Sequence, residues 1–142
     1  MDRIVAHLRA VWPAVRIMLR ADSGFCREAP LAWCETHGVD YVIGLTKNAR
    51  LTARIAADLR AAAAESAATG AAARRFVELT YQTLDSWTRA RRVVAKAEHL
   101  PAGSNPRLVV TSLPDARWAA APFYETLSRA PTRPCSRTPT PS

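Results

Sequence analysis

Val15-Arg-Ile-Met-Leu-Arg-Ala-Asp-Ser-Gly-Phe25 is the stretch on which the reading of this chain turns. Val15, Ile17, Leu19 and Ala21 alternate with Arg16, Met18, Arg20 and Asp22. A period of two marks a strand with one apolar face. Ser23-Gly24 breaks it, and a helix-compatible run opens near Cys26. Asp22 therefore stands at the C-terminal end of a strand, just before a turn into a helix. Open α/β sheets bind ligands and metals along that edge, which makes Asp22 the one candidate for chemistry. A plainer reading stands beside it: Asp before Ser-Gly is also a turn former or a helix N-cap.

Working downstream, a helix is predicted over about Arg27 to His37, with Leu31, Ala32 and Cys34 toward the sheet and Gly38 closing it. Val39-Asp-Tyr-Val-Ile-Gly-Leu45 is a second, largely buried strand. Strand, helix and strand make a βαβ unit, whose strands run parallel with a right-handed crossover. Upstream, Ile4, Val5, Leu8 and Val11 fit a short amphipathic helix that Trp12-Pro13 ends.

From Asn48 to Ala68 the pattern is helical, with Leu51, Ile55 and Leu59 spaced by four. Arg54 and Asp58 are placed to pair on another face. Ala61-Ala-Ala-Ala64 has little to bury and is expected to extend outward. The period then changes. Val77, Leu79 and Tyr81, followed by Val93, Ala95 and Ala97, predict an antiparallel hairpin, and Leu108-Val-Val-Thr-Ser112 a third strand. Glu98 alternates outward on its strand and is expected to be solvated. A short helix is expected over Ala116 to Leu127. Beyond Ser128, four prolines and three arginines without an acid or an apolar period predict disorder to Ser142.

A chain of 142 residues makes one domain with a real core. No apolar run is long enough to span a bilayer, and Met1-Asp-Arg-Ile does not open a secretory signal, so the cytoplasm is the expected location. Cys26, Cys34 and Cys135 are odd in number and lack the spacing of a disulfide framework or zinc knuckle. Cys34 and His37, three apart on one helix, are two ligands and not a site. The net charge is +8, and of 20 basic residues only Lys47 and Lys96 are not Arg. Guanidinium groups bind phosphate bidentately, so the balance suits a polyanion. Coding bias in an Ala-crowded chain is the competing explanation.

Arg20-Ala-Asp-Ser-Gly-Phe25, Ala32-Trp-Cys-Glu35, Gly38-Val-Asp-Tyr-Val-Ile-Gly-Leu45 and Asn48-Ala-Arg-Leu51 together resemble the middle of a bacterial insertion-sequence transposase of the DDE group 1 type. Ser86-Trp87, Arg91-Arg-Val-Val-Ala-Lys96, Glu98-His-Leu-Pro101 and Asn105-Pro-Arg-Leu-Val-Val-Thr-Ser-Leu113 extend the resemblance in family order over about residues 10 to 127. It implies a partial ribonuclease H-like α/β fold with a βαβ core over 1–127, and a β-rich insertion of about three strands near 70–113. It also implies DNA as partner and Mg²⁺ as cofactor. Such chemistry places two divalent ions about 3.5–4 Å apart and needs several carboxylates, two Asp and a Glu in the family. Asp22 matches the second Asp, as catalytic and metal-binding residue. The first Asp has no counterpart here.

The family's Glu follows a Tyr with Arg three residues later. Tyr41, Tyr81 and Tyr124 have Gly44, Leu84 and Leu127 at that offset, so none fits. The departure falls at Leu127, as in a frameshifted or truncated copy, and Glu98 and Glu125 are the nearest acids outside any signature. The resulting expectation is a transposase fragment, inactive alone. Two alternatives remain: a non-catalytic basic module that binds nucleic acid, and an α/β hydrolase or phosphotransferase with Asp22 as nucleophile.

Overall fold

The computed structural model describes residues 1–115 and 119–123. Helix α1, Asp2–Val11, ends at Trp12, as the following Pro13 requires. Only part of its apolar set packs inward: Val5 is buried, whereas Ile4 is 68% and Val11 53% exposed. Strand β1, Met18–Ala21, is shorter than its alternation because Val15 N donates to Trp12 O in a turn. Strand β2, Asp40–Leu45, pairs with it in parallel, from Met18↔Asp40 to Ala21↔Ile43. Between them lie a 3-10 turn, Ser23–Phe25, and helix α2, Glu28–Thr36. Gly38 closes α2 at φ +62°, a left-handed conformation that strains a residue carrying Cβ. The expected βαβ unit is present, with parallel strands.

The segment expected as one helix is two, α3 (Ala49–Arg54) and α4 (Ala56–Thr69), broken at the fully buried Ile55. Asn48 Oδ1 caps α3 through Leu51 N at 3.0 Å. The break separates Arg54 from Asp58, and Arg54 donates to Thr80 O rather than forming the expected pair. The alanine run does not extend outward either. Ala62 is fully buried, and α4 lies along the next two strands, where small side chains allow close approach.

Those strands are β3, Ala73–Tyr81, and β4, Arg91–Leu100, an antiparallel hairpin longer than its apolar alternation. The two-residue β5, Gly103–Ser104, was not anticipated from the residues, and β6, Arg107–Thr111, completes the sheet. The order is β1-β2-β6-β4-β3, with β5 on β4. The β-rich half therefore continues the same sheet, entering it through antiparallel pairing of β6 with β2.

One face carries Tyr41, Ile43, Val93, Leu108 and Val110 against Leu31, Cys34, Leu51 and Ile55 of the helices. The other carries Val42, Val94 and Val109 against Leu113, just beyond β6, and against Phe123 of the short helix α5, Ala120–Phe123. Each fully buried large side chain stabilises the sheet by about 1.5–3 kcal/mol. The chain is a mixed α/β fold. No helix among the described residues is long and apolar enough to cross a membrane. Residues 116–118 and 124–142, with the expected tail and Glu125, lie outside the described residues.

Candidate active site

Asp22 caps the 3-10 turn at the C-terminal end of β1. Its Oδ1 accepts from Gly24 N at 3.0 Å, and Phe25 N donates to Asp22 O at 3.1 Å. The turn-forming reading is thus correct for one oxygen. Oδ2 accepts nothing from a described residue, and the side chain is exposed. Two glycines make room for this turn. A Cβ on Gly24 would stand 3.1 Å from Asp22 Oδ1. One on Gly44, in the neighbouring strand, would stand 3.1 Å from Ser23 N and 3.5 Å from Asp22 C. Gly44 thus supports the Asp22 turn, a role its place in the sequence barely signals. Its signal there is faint, a lone Gly inside a strand pattern, which marks a close backbone approach.

The other acids do not gather around Asp22. Asp40 opens β2 at the far end of the sheet and pairs with Arg16 at 3.0 Å. Glu98 is not solvated as its alternation suggested: it is 6% exposed. Both faces of the sheet are covered near β4, so outward alternation there does not mean contact with water. Burial opposes its ionisation, but Lys96 Nζ and Asn105 Nδ2, each at 3.0 Å, outweigh that and lower its pKa. Among the described residues no three His, Cys, Asp or Glu side chains lie close enough to hold a metal ion. The donor set here does not fit a two-ion centre. Cys34 is fully buried and His37 stacks on Trp33 at 4.2 Å, so that pair makes no site.

The densest charge lies at the opposite end. Arg91, with a side chain 2% exposed, donates to Glu28 Oε2 at 2.8 Å and to Glu35 Oε1 at 2.8 Å. Its Nη2 also reaches Glu35 Oε2 at 3.0 Å and Glu28 Oε1 at 3.2 Å. Tyr41 Oη donates to Glu35 at 2.8 Å, Thr88 holds Glu28, and Trp87 lies under the guanidinium. Hydrogen bonding by Arg91 pulls Glu28 down to about 2. Burial pushes the Cys26 thiol up to about 11, which keeps it protonated and unreactive. A cavity of about 430 Å³ lies at this end, lined by Tyr41, Arg89, Arg92 and Ser112. Every acid in the cluster is matched by Arg, which is the pattern of a structural clamp between α2 and β4.

No curated protein and no solved structure matches the chain. The family model described as transposase DDE domain group 1 matches residues 1–130. That family acts in DNA transposition, with DNA as substrate and a divalent metal in its chemistry. A strand edge presenting Asp22, followed by its turn and helix, lies inside the match, and the chain belongs to the transposase DDE domain group 1 family.

Proposed function

We propose that this chain is part of a DDE transposase catalytic domain with a ribonuclease H-like fold, spanning about residues 1–127 with 70–113 as its β-rich insertion. Asp22 serves in it as one metal-binding carboxylate, for Mg²⁺. The observation that carries this reading is the position of Asp22: it directly follows the edge strand of a parallel pair and is exposed, and its Oδ2 accepts no hydrogen bond from a described residue. One carboxylate holds Mg²⁺ weakly, because the ion gives up hydration water reluctantly. The chain alone is therefore inactive, and the partner carboxylates come from outside the described residues.

The test is end cleavage and strand transfer on DNA carrying the parent element's ends, in Mg²⁺ or Mn²⁺, with Asp22→Asn as control. The native chain should cut no more than the control. Cleavage lost in the control would overturn the inactivity. A second reading, a non-catalytic basic module binding nucleic acid, is favoured by the net charge of +8. It differs in expecting no metal response at Asp22.

A further inference from the structure

The large apolar side chains left exposed are not scattered. Among the described residues, Met1, Ile4, Val11, Trp12, Val15 and Met18 all lie at or before the start of β1, and only Phe25 and Leu84 lie elsewhere. On α1, Asp2, Val5 and Arg9 share one side by their spacing, and that side faces the body of the protein. Asp2 Oδ1 accepts from Trp33 Nε1 at 2.6 Å, Arg9 Nη2 donates to Gly38 O at 3.2 Å, and Val5 joins the core. Ile4, Leu8 and Val11 form the adjoining side, where Ile4 and Val11 are exposed. Helices on this face follow the strands, with α4 on β3 and β4 and α2 on β2, so α1, bonded to α2, lies at the β1 margin.

That margin is also where the sheet stops. β1 is the outer strand, and no described strand pairs with its far side. Ile17 O accepts from Asp40 N at 2.9 Å, so the backbone groups of the next residue, Met18, are directed outward. An open strand flanked by exposed apolar side chains is a template for a second strand. Monomers seldom leave an apolar patch of this kind exposed.

We propose that this margin is a homodimer interface, in which β1 pairs antiparallel with β1 of a second copy and the two α1 helices meet through Ile4, Leu8 and Val11. The proposal goes beyond the catalytic reading and stands without it. A second copy is the occupant because the surface complements itself. With Leu19 opposite Leu19 of the partner subunit, Arg16 faces Asp22 of the partner subunit, and the two-fold axis makes that pairing twice. The neighbouring registers set Arg16 or Arg20 opposite Arg20 of the partner subunit, and like charges directly across a sheet destabilise it. Arg16 also meets Asp40, but its side chain is 59% exposed, and such surface pairs are weak. Antiparallel pairing keeps opposite residues on one face, so both α1 helices end on the same side of the joined sheet. Each copy carries a net charge of +8. Repulsion therefore opposes the contact, and salt should tighten it.

The experiment is sedimentation velocity of the full chain over a concentration series, at low and at high salt. The native chain should form a dimer that tightens as salt rises. Ile4→Glu and Val11→Glu should each weaken association by about tenfold or more. Neither should move the melting temperature of the dilute protein, because both side chains are exposed. Arg16→Glu alone and Asp22→Lys alone should each weaken the dimer, since like charges then face one another. An equimolar mixture of those two variants should restore it, because every such pair in the mixed dimer is again of opposite charge. A chain that stays monomeric, association that runs past the dimer, a dimer indifferent to Ile4→Glu and Val11→Glu, or no recovery on mixing overturns the interface.

Discussion

At one end of the sheet, Arg91 is walled in by two carboxylates, a tyrosine, a threonine and a tryptophan. At the other, Asp22 stands exposed, with one oxygen on its own turn and the other bonded to none of the described residues. Perturbed protonation and a cavity both point to the first end, and family membership with strand topology to the second. The contrast shows why shifted titration is an ambiguous guide to function: charges that complete one another hold a fold together, whereas a carboxylate kept for a metal needs an oxygen left over.

If the Arg91 cluster is a clamp, removing its centre has a larger effect on stability than any change at the Asp22 end. Arg91→Ala strands Glu28 and Glu35 and should cost about 3–5 kcal/mol, read by urea denaturation. A loss under about 1 kcal/mol, the range of an exposed pair, would show that the cluster is loose.

Acid should release the same clamp. Glu28 is held at about 2 in the folded chain, below the roughly 4.3 of a free glutamate. A lowered folded pKa gives stability that is complete above the unfolded value and is lost as pH falls through the folded one. Thermal stability should therefore fall between roughly pH 4.5 and 2. Glu28→Gln should start lower and show a flatter decline. Equal slopes would remove Glu28 from the account.

Substitutions at the Asp22 end should be milder. Gly44→Ala sets a methyl group 3.1 Å from Ser23 N, a backbone atom that cannot swing aside. It should cost about 1 kcal/mol and move the amide signals of Ser23 and Gly24. Asp22→Asn keeps an oxygen for Gly24 N and should change stability by no more than about 0.5 kcal/mol. A larger loss there would make Asp22 a structural residue like Arg91.

The strand, turn and helix around Asp22 were legible because each rests on local signals: period-two alternation, Ser-Gly punctuation, and Gly38 closing a helix. The Arg91 clamp was not, since its partners are 56 and 63 residues away. One cue was available: Arg91 shares the alternation of Val93, Ala95 and Ala97 and so falls on the buried face. Glu98 misled because alternation gives a face but not what covers it, and here a second apolar cluster covers the face expected to be wet. The alanine helix misled similarly, because small residues that bury little area also permit close packing on β3 and β4.

Mn²⁺ titration followed by paramagnetic broadening of the backbone amides decides whether Asp22 is a metal ligand. Weak binding of a single ion is expected, with broadening centred on Asp22 to Gly24 and absent in Asp22→Asn. Broadening centred on Glu28 and Glu35, tight binding of two ions, or a response unchanged by Asp22→Asn would contradict it.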